Sequence, residues 1–227
     1  MDTNIAFYLS PGPLQIGLIE ADGVCVLPSR AAYVQKISEE IAHILQPGWV
    51  YPDSLQKGIR SLLKAYGFHP SGRNRPASEF LVKDLQGRGS FNSINNVVDI
   101  NNHVSLISHL PISIFDRQKT GNQLMIRVGM EGEQYIFNRE GHELSLRDLL
   151  IVARGDGDKA ALGSPVKDSQ ATKVFEGTSS LVGIIYSSTT LLVPNALAGI
   201  LGRFADLLKT EAMAKHVEWS IIDAPQH

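Results

Sequence analysis

The sequence predicts an α+β domain. Helical periodicity concentrates toward the two ends of the chain, while the second half is mostly short, strand-like apolar runs. A composition of 43% hydrophobic and 19% charged residues over 227 positions is that of a globular chain able to bury a core without staples.

The first elements are a hairpin and two helices. Gln15-Ile16-Gly17-Leu18-Ile19 and Val24-Cys25-Val26 flank Asp22-Gly23, a dipeptide suited to the positive φ angles of a tight turn. Cys25, inside that run, reads as a small core hydrophobe. Ser29 is placed to cap a helix whose stripe is Tyr33, Val34, Ile37, Ile41, Ile44 and Leu45, stopped by Pro47-Gly48. Ser54 heads a second helix with Leu55, Ile59, Leu62, Leu63 and Tyr66 on one face and Gly67 at its end. Residues 68–76 form a loop rich in breakers and bases, and a short helix follows from Ser78 to Leu85, ended by Gly87-Arg88-Gly89.

Residues 94–109 read as one helix of two characters. Val97, Ile100, Val104 and Ile107 share an apolar face, while Asn95, Asp99, Asn102 and His109 lie opposite, flanked by Asn101 and Ser105. Asparagine is a mediocre helix former because its amide competes for backbone hydrogen bonds. The asparagines at 95, 96, 101 and 102 therefore either cap the helix and face water, or point amides into a cleft as donors and acceptors for a polar ligand.

Strands are expected over 112–115, 123–128, 134–137, 149–153 and 180–186, and a last helix over 195–216 with a frayed tail after Asp223. Arg154-Gly155-Asp156-Gly157-Asp158 is a turn-rich loop without the ligand spacing of a calcium helix–loop–helix. We expect a single domain over 1–227, with 1–75 bracing a core at 76–210 and a tail at 211–227.

Composition narrows function. The net charge of −2 argues against a protein that coats nucleic acid, although Arg73, Arg75, Lys83, Arg88, Arg117 and Lys119 crowd one third of the chain. One cysteine allows no internal disulfide and favours a reducing compartment. Met1-Asp2-Thr3-Asn4 lacks the character of a signal peptide, and no apolar run approaches the ~20 residues of a membrane helix. The expected location is cytoplasmic. Neither phosphate-cradling glycine loops nor a Gly-x-Ser-x-Gly elbow nor a His-Glu-x-x-His pair occurs. His103 and His109 stand six apart, on different helix faces.

Four segments, in order and spacing, carry a family resemblance. They are 75–81 (Arg-Pro-Ala-Ser-Glu-Phe-Leu); Gly87-Arg88-Gly89-Ser90 leading to the asparagine-rich stretch 94–106; Leu110-Pro111-Ile112-Ser113-Ile114-Phe115-Asp116 with Leu124-Met125-Ile126-Arg127; and 163–174, beginning Gly163-Ser164-Pro165. Over roughly residues 10–210 the chain resembles the B3/B4 domain of the bacterial phenylalanyl-tRNA synthetase β subunit. The resemblance implies a mixed or antiparallel sheet with flanking helices and a pocket between two halves. It also implies an editing activity, the hydrolysis of wrongly charged aminoacyl-tRNA.

Carried over residue by residue, Asn101 and Asn102 match pocket residues that meet the amino acid or the terminal adenosine. Ser113 stands where the synthetase domain has a pocket histidine, Ile184 near its tyrosine-selecting glutamate, and Gln170-Ala171 where free-standing relatives often show Glu-Arg. An isoleucine accepts no hydrogen bond from a phenol, so a preference for tyrosine does not carry over. The expected substrate-facing residues are Asn95, Asn101, Asn102, Ser105, Ser113, Arg127, Ser164, Asp168, Ser169 and Thr172; the expected tRNA contacts are Arg73, Arg75, Lys83 and Arg88. No catalytic side chain is assigned, because an activated ester needs chiefly a positioned water and donors at the developing oxyanion. Aminoacylated tRNA is the expected partner, with no DNA, membrane, metal or cofactor. The alternatives are a non-catalytic tRNA- or amino-acid-binding module and a small-molecule hydrolase reusing the pocket.

Overall fold

The computed structural model describes residues 3–72, 74–193 and 195–225, so Arg73 lies outside the described residues. In chain order, β1 (Asn4–Tyr8) and β2 (Leu14–Asp22) precede α1 (Ala31–Ile41), a 3₁₀ turn (Ala42–Leu45), α2 (Asp53–Ala65), α3 (Ala77–Arg88) and α4 (Asn96–Ser108). Then come β3 (Ile112–Asp116), the one-turn α5 (Arg117–Thr120), β4 (Gln123–Val128), β5 (Gln134–Ile136), β6 (Glu143–Ser145), β7 (Leu150–Arg154) and β8 (Ala161–Gly163). A 3₁₀ turn (Gln170–Thr172), β9 (Ser180–Ser188), α6 (Ala196–Glu211) and β10 (His216–Asp223) complete the chain. The expected α+β class is what forms.

The strands make two four-stranded sheets and a ribbon. One sheet runs β10-β2-β9-β3 and is antiparallel throughout; the other runs β1-β4-β7-β8, with β1 parallel to β4; β5 and β6 pair as the ribbon. β9 is buried almost end to end because both of its faces are covered. Its Leu181 and Ile185 join a cluster with Ile37, Val97, Ile100, Val104, Leu201 and Phe204 beneath the helices. Its Val182, Ile184 and Tyr186 face the other way, against Leu124, Ile126, Leu150 and Val152 of the second sheet. A third cluster, with Met125, Ile151, Tyr135 and Leu144, packs the ribbon onto that sheet's outer face. Among the described residues, no helix is long and apolar enough to cross a membrane.

Several local expectations give way to tertiary pairing. No hairpin forms at Asp22-Gly23. Gly23 turns the chain at φ 69°, but Val24 N donates to Ser179 O and Cys25 N to Ala212 O, while β2 pairs with β9 and β10 instead. Cys25 is exposed rather than a core residue, because Val24 and Val26 on either side take the buried positions. Ser29 does not cap α1; its Oγ donates to Asp99 Oδ2 at 2.6 Å, and Arg30 occupies the cap position. The first expected helix breaks into α1 and a 3₁₀ turn, leaving Leu45 exposed. The last helix stops at Glu211, and the expected tail 211–227 contains an edge strand, β10, paired with β2 along its length.

Candidate functional site

The asparagine-rich helix α4 is assembled by four amides doing different jobs. Asn95 caps it, its side chain accepting from Val98 N at 2.9 Å. Asn96 is buried and ties two distant segments of backbone together: it accepts from Leu27 N (3.0 Å) and donates to Cys25 O and Glu211 O (both 2.9 Å). Asp99, fully buried, braces the preceding loop by accepting from Ser29 Oγ, Ser93 Oγ and Ile94 N. Asn101 and Asn102 are left, with Asn95 and Val98, along the face that lines a cleft.

That cleft has a volume of about 910 Å³ and lies between α3, α4 and β3 on one side and segments 137–140 and 163–176 on the other. Its size falls in the range of ligand sites, roughly 300–1,000 Å³. The pleat of β3 sends Ile112 and Ile114 into its wall and Ser113 to the opposite face. Ser113 therefore acts from behind. Its Oγ, fully buried, donates to Asp168 Oδ1 at 2.6 Å and lies 3.0 Å from the Tyr186 hydroxyl, placing it in a chain that reaches the cleft through Asp168. Ile184 is the cross-strand partner of Ser113 and is buried in the inter-sheet core, outside the cleft lining.

Asp168 is the electrostatic centre. Burial pushes its carboxyl up to about 7, against the opposing pull of the Ser113 hydroxyl, the Ser164 N–H and the charge of Lys173. Burial also lowers Lys173, whose Nζ donates to Phe137 O at 2.6 Å. In the lining of the same cleft two amide oxygens are buried without a hydrogen-bond partner among the described residues: Asn101 Oδ1 and Gln170 Oε1. Buried acceptors are normally paired, which sets these two apart from the other amides of the site. Asn101 Nδ2 is held by Asn102 Oδ1 at 3.3 Å.

Other expected site residues are spent on structure. Ser164 Oγ donates to Lys167 O (2.8 Å), accepts from Tyr135 OH (3.1 Å) and from two backbone N–H groups, and so shapes its own loop although it borders the cleft. Ser169 caps the 3₁₀ turn, and Thr172 Oγ1 donates to Leu162 O. Ser105 Oγ donates to Leu110 O at 2.7 Å, closing the C-terminal end of α4. Arg127 is clamped in a two-pronged pair with Glu133 (2.6 and 2.8 Å) and is not in the cleft lining. Ser105, Arg127, Ser169 and Thr172 are thus corrected from substrate-facing to bracing: hydroxyls and guanidinium are consumed by neighbours that the linear sequence does not reveal. Arg75, Lys83 and Arg88 border a second, adjoining groove. Lys173, Arg139 and the two isoleucines were not expected in the site; nothing local in their sequence marks them, since loops and pleat bring them there.

Gly163 is what lets Asp168 sit where it does. A Cβ there would stand closer than 3.0 Å to both Asp168 Oδ1 and the Phe115 ring. Gly163→Ala is expected to destabilise the fold by about 1–3 kcal/mol, the usual cost of overpacking. Chemical denaturation midpoints check this, and an unchanged midpoint would mean the carboxyl swings aside freely.

The comparison with known families decides what this cleft belongs to: the B3/4 domain pattern matches residues 67–188, which include α3, α4, β3, the 163–176 loop and β9. The chain belongs to the B3/4 domain family. Within it, this chain is 33% identical over 87 residues to a phenylalanine–tRNA ligase beta subunit of Aquifex aeolicus, covering 38% of this chain and 11% of that one. It is 32% identical over 101 residues to the corresponding subunit of Staphylococcus aureus, covering 43% of this chain and 12% of that one. This B3/4 chain thus spans about a tenth of the length of those curated relatives. An N-terminal fragment of the phenylalanyl-tRNA synthetase beta subunit from Pyrococcus horikoshii superimposes with a TM-score of 0.45 at 10% identity, over 99% of this chain and 55% of that one. Among the described residues of the B3/4 chain, no group of three or more His, Cys, Asp or Glu side chains could hold a metal ion.

Proposed function

We propose that the cleft receives the aminoacylated 3′ end of tRNA and hydrolyses a mischarged aminoacyl ester with a positioned water. The observation that carries this reading is the placement of Asp168, its carboxyl pushed up to about 7, in the same cleft as Asn101 and Asn102. A base that titrates near neutrality serves both halves of an ester hydrolysis. As the water oxygen bonds to the ester carbonyl carbon, its proton passes to the Asp168 carboxylate. As the carbon–oxygen bond to the ribose breaks, that proton goes to the departing ribose oxygen. The unpartnered oxygens of Asn101 and Gln170 accept from the substrate's N–H or O–H groups. The Asn102 amide is the donor nearest in kind to an oxyanion stabiliser. Membership of a family shared with phenylalanine–tRNA ligase beta subunits supports tRNA as the carrier.

The test is a deacylation screen of the purified chain against correctly and wrongly charged tRNAs, with an Asn102→Ala variant alongside. We expect hydrolysis of one mischarged species and a loss of about 10²–10³ in rate in the variant, the usual effect of removing one such donor. Flat time courses with tRNA still retained on a filter would assign the cleft to binding alone.

A further inference from the structure

Next to the cleft lies a second groove of about 540 Å³, and the two share Phe80, Phe137 and Lys167 in their walls. Their electrostatics differ. The cleft balances Arg139, Lys167 and Lys173 against Glu140, Asp168 and Glu176, whereas the groove sets Arg75, Lys83, Arg88 and Lys167 against Asp84 alone. The groove is also aromatic. Phe80 is 50% exposed on α3, and Lys167 Nζ sits 3.9 Å from the centre of the Phe137 ring. On α3, Lys83 and Arg88 flank Phe80 to either side, all three lining the groove, and Phe80 to Arg88 spans about 12 Å at roughly 1.5 Å per residue; Arg88 Nε also pairs with Asp84 Oδ2 at 2.8 Å. That length spans about three stacking steps of roughly 3.4 Å each. Lys83 is exposed and makes no ion pair among the described residues, and Arg75 is anchored by Nε to Gly72 O at 2.8 Å.

A basic track beside an exposed aromatic platform is the physical signature of a single-stranded nucleic-acid site: phosphates meet the cations, and bases of any identity stack on the ring. Resting on the tRNA reading above, we propose that this groove is a subsite for the unpaired nucleotides that precede the terminal adenosine. One base stacks on Phe80, and its flanking phosphates lie along Lys83, Arg88 and Arg75. The cleft then takes only the last nucleoside and its amino acid. Phe80, in both walls, marks the boundary between them.

The test compares binding of adenosine monophosphate with that of the RNA trinucleotide CCA, using the full chain, Phe80→Ala and Lys83→Ala. We expect the trinucleotide to bind the parent chain at least tenfold more tightly than the mononucleotide. Phe80→Ala should lose about tenfold of that margin, one stacked base. Lys83→Ala should lower the slope of log affinity against log salt by about 0.7, one phosphate contact on a single strand. Both side chains are exposed, so neither change threatens the fold. Equal affinity of the parent chain for the two ligands overturns the subsite, as do an intact margin in Phe80→Ala and an unchanged slope in Lys83→Ala. Failure of deacylation with the margin intact overturns only the hydrolytic reading, and absence of all RNA binding overturns both.

Discussion

Asp168→Asn is expected to cost about 10²–10⁴ in deacylation rate, the range of a general base, and at the same time to stabilise the fold at pH 8. The two effects come from one fact. In the unfolded chain an aspartate titrates near ~3.9, whereas burial holds Asp168 at about 7 in the fold. Between those values the native state binds a proton that the unfolded state has released. Native stability therefore falls as pH rises from about 4 to about 7, and the deficit is complete above that. At ~1.4 kcal/mol per pH unit the deficit is bounded by roughly 4 kcal/mol, and we expect about 1–3 kcal/mol of it to be recovered by the neutral amide. Denaturation midpoints of the two chains at pH 5 and pH 8 measure this, with the gain confined to the higher pH. The rate has the opposite sign, because the ionised form is the base: hydrolysis by the parent chain should rise with pH and level off above about 7. A variant as active as its parent would remove Asp168 from the chemistry. A variant less stable than its parent at pH 8 would show that the carboxylate's hydrogen bonds outweigh its burial.

Asn96→Ala is expected to be the most damaging conservative change outside the cleft, at about 3 kcal/mol. It strips the partners from Leu27 N, Cys25 O and Glu211 O, three backbone groups on two separate segments, the loop after β2 and the end of α6. Each buried group left unpaired costs about 1–3 kcal/mol, tempered where water reaches it. For a chain of this size the melting temperature should drop by about 6–12 °C. Asn96→Asp should do no better, since it keeps the acceptor but loses both donated bonds and buries a charge. A loss below about 1 kcal/mol would show that water replaces these bonds without penalty.

Asn96 also owes its role to residues far from it in the chain. The four asparagines of the 94–109 stretch were open to two readings, a capped helix facing water or amides turned into a cleft, and the structure divides them. Asn95 caps, Asn96 stitches the loop after β2 to the end of α6, and Asn101 and Asn102 line the cleft. Propensity flags that such residues need a reason to stand in a helix, but the reason is a partner far away in the chain.

Some features were determined by sequence alone. The period of the apolar residues placed α2, α3, α4 and the strands β3, β4, β7 and β9 within a few positions, because each buries a face whose spacing is local. The order of the motifs from Arg75 to Val174 likewise marked the family, which the match over 67–188 bears out. Tertiary structure alone decided the rest. β1 and β10 are edge strands whose pairing partners, β4 and β2, lie far off in sequence, and β6 and β8 have three residues each, too few for a period of two to be read. Whether a hydroxyl faces the cleft or is spent on its own loop separates Ser113 and Ser164 from free donors, and it depends on which carbonyl or carboxylate arrives beside it. The cleft's central property, a carboxyl held near neutrality, follows from the burial of Asp168 against Ser113 and Gly163, and desolvation is a property of packing that no stretch of sequence contains.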